Sequence, residues 1–358
     1  MLGELDISLE KAGELKQKPA DDNLGFGQHF SDHMFLMEWS RKQGWNNARI
    51  CPYHKFEMDP ASTVLHYGQA IFEGLKAYRG KDDQVFLFRP EDNFTRMNEG
   101  AVRMSMPRIP VDKVMQALKA LLYLDREWIP KVEGASLYIR PTLIGVDQYL
   151  GLKPADQYLF YIILCPVGAY YAEGFNPTKI FVSTDYVRAV KGGVGHVKTA
   201  GNYAASLLAS EEAKKAGYTQ VLWLDACERK YIEEVGTSNI FFVLGDQVIT
   251  PPLGGSILPG ITRDSVLKLV SSWGYQVEER PVSIDEILES AADGRLKESF
   301  ATGTAAVISP VGELFYNNQT HLINKGVTGG LSQRLFDELQ AIQNGEQEDS
   351  FKWTVRVG

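Results

Sequence analysis

Residues 192–203 read GGVGHVKTAGNY, and the fold turns on what Lys198 does in that stretch. A lysine beside glycines is ordinarily a solvated side chain. A phosphate-cradling loop would need glycine immediately before a Lys-Ser/Thr pair, and Val197 occupies that place before Lys198-Thr199. A dinucleotide fingerprint would need a third glycine and a turn joining strand directly to helix, and neither is present. What remains is a lysine entering a partly buried turn. Desolvation there favours the neutral amine, the form that acts as nucleophile or base and suits an imine with an aldehyde cofactor.

Outward from this turn, Lys179–Ser183 (KIFVS) reads as a strand on its N-terminal side. On the other side Ala204–Ala216 reads as a helix stopped by Gly217. Strands are expected at Val221–Leu224, Tyr231–Val235 and Ile240–Leu244. Neighbouring strand residues face opposite ways, so of Glu233 and Glu234 one carboxylate should be buried and the other wet; both could equally be surface acids on an edge strand. A buried glutamate needs a cationic partner, and a protonated pyridine nitrogen would serve. Pro259-Gly260-Ile261-Thr262 opens a helix, Thr262–Trp273, with Val266, Leu267, Val270 and Trp273 on one face. Such an opening attracts anions, although it can also be a plain helix start capped by Thr262. The segment ATGTAAV, Ala301–Val307, is small and glycine-containing, with Thr304 able to donate a hydroxyl; neither signal is specific alone.

The first half mixes strands, at His33–Glu38, Val85–Phe88 and Tyr158–Cys165, with a helix over Val111–Arg126. His29 and His33 lie in an extended run, which sets the imidazoles roughly 13 Å apart at about 3.3 Å per residue, too far for one metal ion. No metal is expected. At 358 residues two domains are expected, joined near PVGAYYAEG, Pro166–Gly174. The expected bounds are 1–165, a connection at 166–177, and 178–358. A net charge of −8 disfavours nucleic acid as a partner. No apolar run nears the roughly 20 residues of a spanning helix, and no signal peptide is expected. The three cysteines, Cys51, Cys165 and Cys227, show neither disulfide-framework nor zinc spacing, which fits a reducing cytoplasm.

Six segments in order then resemble the branched-chain aminotransferases of the fold-type IV pyridoxal-phosphate enzymes. They are HYGQAIFEGLKAYRG (His66–Gly80), LFRPEDNFTRM (Leu87–Met97), YIRPTLIG (Tyr138–Gly145), KTAGNYAASL (Lys198–Leu207), EVGTSNIFF (Glu234–Phe242) and ILPGITR (Ile257–Arg263). The resemblance implies a mixed α/β fold with a smaller N-terminal domain and a larger C-terminal pseudo-barrel domain. It also implies a pyridoxal 5'-phosphate cofactor and reversible ping-pong transfer of the amino group of leucine, isoleucine and valine to 2-oxoglutarate.

Site roles follow from the same resemblance. Lys198 matches the lysine that condenses with the cofactor's aldehyde and shuttles the substrate proton. Tyr203 matches the donor to the cofactor's phenolic oxygen, and Glu234 the partner of its ring nitrogen. Arg96, the amides of Ile261 and Thr262, and Thr304 match the phosphate cradle. Phe26, Tyr67, Tyr138, Arg140 and Tyr170 match the substrate pocket, bordered by Thr237 and Ala305. A homodimer is implied, with a loop near Leu152 reaching the neighbour's pocket. The Cys-x-x-Cys redox pair of animal members is replaced by Ala306 and Ser309, so thiol control of that kind is not expected. The rivals are a D-amino-acid aminotransferase, an aminodeoxychorismate lyase, or a non-catalytic binding protein on the same scaffold. EGLKAYRG and YIRPTLIG fit the first two poorly, and the last predicts damaged site positions.

Overall fold

The computed structural model describes residues 6–168 and 175–357, the side chain of Asp22 excepted. Two compact units divide the chain. One comprises Met1–Tyr170, Val197–Ala200 and Ala341–Gly358, the other Tyr171–His196 and Gly201–Gln340. This differs from the expected bounds, and the first unit, not the second, holds more of the chain. The reasons are local. Thr354–Val357 alternates apolar and polar residues and pairs antiparallel with Val85–Phe88, adding a last strand to the first sheet. Lys198 and Thr199 are bonded to the first unit's backbone, as described below. Of the expected connection, Pro166 and Val167 instead end a strand, and residues 169–174 lie outside the described residues.

Among the described residues the first sheet has nine strands. Along it run Ser8–Leu9, Gly44–Pro52, His33–Ser40, Gln157–Val167, Ser136–Gly145, Leu75–Arg79, Val85–Phe88 and Thr354–Val357, with Ala70–Phe72 also on Ser136–Gly145. One face is apolar: Phe35, Met37, Leu75, Ala77, Leu137, Ile139 and Phe160 pack with Phe94, Met97, Leu118 and Leu121 from helices Pro90–Arg103 and Val111–Leu124. Alternation sends Lys76, Tyr138 and Arg140 to the opposite face, Lys76 directly across from Tyr138. The helix expected to reach Arg126 stops at Leu124, and Arg126–Trp128 forms a 3-10 turn.

In the second unit the order is Ile232–Val235, Gln220–Leu224, Thr178–Val182, Val307–Tyr316, Leu296–Gly303, Asn239–Leu244, Gln247–Thr250 and Gln276–Glu279, with Gln319–Leu322 beside Val307–Tyr316. Ile180, Leu222, Ile240, Phe242 and Leu314 join Ile284 and Ile287 of helix Ile284–Ala292 in its core. The expected helix Ala204–Ala216 is two, Ala200–Ala204 and Leu207–Lys215. Ser206 causes the break: its amide and its hydroxyl both donate to the Tyr203 carbonyl, at 3.1 and 2.8 Å, which tightens the turn. Gly217 follows at φ +89°, the left-handed stop expected of it. No helix among the described residues is long and apolar enough to cross a membrane.

Candidate active site

In the first unit the lysine is fastened by backbone. Phe72 N donates to the Lys198 carbonyl at 3.0 Å, and Thr199 Oγ1 donates to the Ala70 carbonyl at 2.9 Å. Its side chain is half-buried. The ammonium stands over the Phe72 ring, 5.3 Å from the centroid. The Arg140 guanidinium meets the same ring at 4.7 Å and lies 5.2 Å from the Tyr138 ring. Arg140 Nη2 also donates to the Tyr138 hydroxyl at 3.0 Å, and the Phe26 ring meets Tyr138 edge-on at 5.0 Å. Lys198, Arg140, Tyr138 and Phe26 are thus joined as one cluster through aromatic faces. Gly74 is required beside it, because a Cβ there would collide with the Tyr138 hydroxyl.

Two predicted residues of this unit are held elsewhere. The Tyr67 hydroxyl donates to the Leu150 carbonyl, tying the short helix Thr63–Tyr67 to the loop after strand Ser136–Gly145. Arg96 projects from Pro90–Arg103 into a buried, two-pronged bond with Glu73, Nε to Oε1 and Nη2 to Oε2, both at 2.8 Å. Glu73 directly follows Phe72, so the arginine is anchored one residue from the ring beneath Lys198. Neither Phe72 nor Glu73 was singled out in the sequence reading, although both lie in the quoted HYGQAIFEGLKAYRG segment. Lys76, in the same segment, is also buried, and burial lowers its amine to about 8.

In the second unit Glu234 is 2% exposed and opposes Trp223 in the sheet. Asn239 Nδ2 donates to Glu234 Oε1 at 3.2 Å and to the Leu258 carbonyl at 2.9 Å. Arg188 Nη1 lies 2.5 Å from Glu234 Oε2. Glu233, expected to be the wet member if Glu234 is the dry one, is instead buried too. Ser256 Oγ donates to its Oε1 at 2.5 Å. Desolvation raises its carboxyl pKa against the lowering by Ser256. The alternation rule failed because the segment around Ser256 covers the face it assigned to water.

Helix Ile261–Ser272 begins beside this carboxylate cluster. Its cap is Gly260 rather than Thr262, with no side-chain cap bond, and a Cβ at Gly260 would collide with Asn239 Oδ1. Its buried apolar positions are Val266, Leu269 and Val270, with Leu267 and Trp273 half-buried. Asn239 pairs with Thr302, so the turn carrying Thr237 and the turn carrying Thr304 and Ala305 lie at one end of the sheet. A Cβ on Gly303 would meet Ser238 Oγ at 3.1 Å. Tyr203 is half-buried in Ala200–Ala204. Tyr170 lies outside the described residues.

The chain is similar to known proteins in sequence and in fold. A family model described as amino-transferase class IV matches residues 70–314. Branched-chain-amino-acid aminotransferase 2 of Bacillus subtilis (strain 168) is 51% identical over 98% of this chain and 97% of its own length. The chain belongs to the branched-chain aminotransferases of class IV. A probable branched-chain-amino-acid aminotransferase of Staphylococcus aureus (strain N315) is 52% identical over 98% of each chain. Among solved structures, the branched-chain aminotransferase of Escherichia coli superimposes with a TM-score of 0.76 at 27% identity, covering 91% of this chain and 99% of that one. The Thermobaculum terrenum enzyme in its PLP form shares the fold, with a TM-score of 0.72 at 24% identity over 90% of this chain and 98% of that one.

Proposed function

We propose that this aminotransferase, with pyridoxal 5'-phosphate, transfers the amino group of L-leucine, L-isoleucine or L-valine to 2-oxoglutarate. The products are branched 2-oxo acids and L-glutamate, formed by a reversible ping-pong sequence. The observation that carries the reading is the Lys198 amine over Phe72, with Arg140 on the same ring, in a chain of this family. The donor types match what the cofactor demands. There is an amine for its aldehyde, a buried carboxylate for its ring nitrogen, and a helix start without a side-chain cap for its phosphate.

When bound, the cofactor supplies an aldehyde and a conjugated ring that takes up the electrons left by the substrate's Cα proton. Lys198 Nζ removes that proton from one half-reaction's substrate and returns one in the other. Ionised Glu234 accepts a hydrogen bond from the ring nitrogen and so keeps it protonated. The amides of Ile261 and Thr262, the Thr304 hydroxyl and Arg96 hold the phosphate, and Tyr203 donates to the phenolic oxygen. Phe26, Tyr67 and Tyr138 present apolar faces to a branched side chain, with Thr237 and Ala305 at the border. Arg140 and the Tyr138 hydroxyl serve the carboxyethyl group of glutamate.

We further propose a cytoplasmic homodimer. Three unpaired thiols suit a reducing compartment. Leu150 and Leu152 are exposed at 63% and 83% on one loop of the first unit, an apolar tip that a second copy can cover. The test of function is glutamate formation from 2-oxoglutarate with leucine, isoleucine, valine or D-alanine as donor. Turnover with the three branched L-amino acids supports the reading; turnover with D-alanine alone overturns it.

A further inference from the structure

Glu234 cannot do its proposed work unless it stays ionised while buried, and burial opposes that. Its two neutral donors, Asn239 Nδ2 and the Leu258 amide at 3.4 Å, both reach Oε1. The charged contact is on the other oxygen, where Arg188 Nη1 stands 2.5 Å from Oε2. Arg188 is itself 6% exposed along its side chain, so the pair is screened little by water. The same Nη1 lies 3.3 Å from the carbonyls of Gly195 and Ser256. Gly195 must be glycine for this, because a Cβ there would strike the Ser256 carbonyl and the Ala189 side chain.

We propose that Arg188 is a positioning residue for transamination: it holds Glu234 ionised and aims Oε1 at the cofactor's ring nitrogen. This rests on the reading of Glu234 given above. A guanidinium suits the task because it remains charged at every working pH and its planar donors fix direction as well as charge. Other charged groups among the described residues are engaged as follows. Glu233, next on the strand, is bonded to Ser256, and Lys191 acts on Glu233 together with Arg188 and Asp225. Arg263, from helix Ile261–Ser272, is bonded to Glu279 and to the Pro251 carbonyl. None of these replaces Arg188 at Oε2. Without it, a carboxylate as dry as Glu234 takes up a proton more readily and can then donate to the ring nitrogen instead of accepting from it.

The test uses holoenzyme of the wild type, Arg188→Gln, Arg188→Met, Arg188→Lys and Glu234→Gln, with circular dichroism as the check on folding. The protonated-carboxyl infrared band of Glu234, assigned by subtracting Glu234→Gln, is followed against pH. In Arg188→Gln its midpoint should rise above the wild-type value by about one unit or more, and the pH dependence of the cofactor's visible absorbance should move with it. Arg188→Met keeps the packed stem without the charge and should do the same; Arg188→Lys keeps a cation and should return the midpoint most of the way to the wild-type value. A titration in Arg188→Gln or Arg188→Met that superimposes on the wild type overturns the inference. Equilibrium cofactor binding separates the two claims. If Glu234→Gln binds pyridoxal phosphate as the wild type does, the assignment of Glu234 to the ring fails. If it binds more weakly while the Arg188 variants titrate normally, only the Arg188 inference fails.

Discussion

Replacing Glu73 by glutamine should cost this protein about 3 kcal/mol, nearly all of it through Arg96. The carboxylate is 1% exposed and the guanidinium 9%, joined by two bonds of 2.8 Å. Breaking such a pair takes the carboxylate from a dry cation, at about 3–5 kcal/mol. Glutamine keeps the volume and one acceptor, but turns an amide NH2 toward one of the two donors, which places the loss at the lower end. At roughly 2 °C per kcal/mol for a large unit, the fall in Tm is about 6 °C. Differential scanning calorimetry of the cofactor-free protein at fixed concentration reads it, so that loss of a phosphate contact from Arg96 does not enter. The control is Glu73→Gln with Arg96→Met, which removes both charges and should recover part of the loss, because a neutral pair replaces a stranded ion. A single variant within about 1 °C of the wild type, or a double variant lower by the sum of both singles, would refute the reasoning.

Other outcomes follow from the same physics. Lys76 is buried with its amine lowered to about 8 from the usual 10.5. The unfolded chain therefore holds more protons between those values, and wild-type stability should rise with pH through that window. Lys76→Met should lose this rise and gain on the order of 3 kcal/mol near neutrality, read by urea unfolding from pH 7 to 10. Glu233 is shifted the other way, its carboxyl raised by burial above 4.5. The folded state then holds the extra proton, and stability should fall as pH climbs past 4.5. Glu233→Gln should flatten that fall in the same assay over pH 4 to 7. For specificity, Arg140→Ala should slow the glutamate half-reaction at least tenfold more than the leucine half-reaction. Equal losses in stopped-flow single turnovers would count against a role in discrimination.

Much of this architecture could be read from residue order. Val85–Phe88 is observed with the bounds expected, and the strands near His33, Tyr158 and Val221 differ only at their ends, because alternation and flanking turns both mark them. What escaped reading depended on contacts distant in sequence. The polar tail hid the strand Thr354–Val357, whose Val355 and Val357 alternate but pair with residues some 270 positions earlier. The need of a buried Glu234 for a cation was legible; that Arg188 would supply one was not, since nothing local links the two. Glu233 was misjudged because alternation presumes water on one face. Phe72 and Glu73 sat within a quoted motif, yet only the backbone bonds that lay Lys198 and Thr199 along Ala70–Phe72 show why that phenylalanine meets the lysine.

The most direct trial is to load the protein with pyridoxal 5'-phosphate, reduce with borohydride, digest, and locate the phosphopyridoxyl group by mass spectrometry. Lys76 makes the trial stringent, since burial lowers its amine to about 8. The label is predicted on the peptide containing Lys198, with leucine added before reduction preventing it. A label on Lys76 instead, or one that leucine does not prevent, would contradict the account.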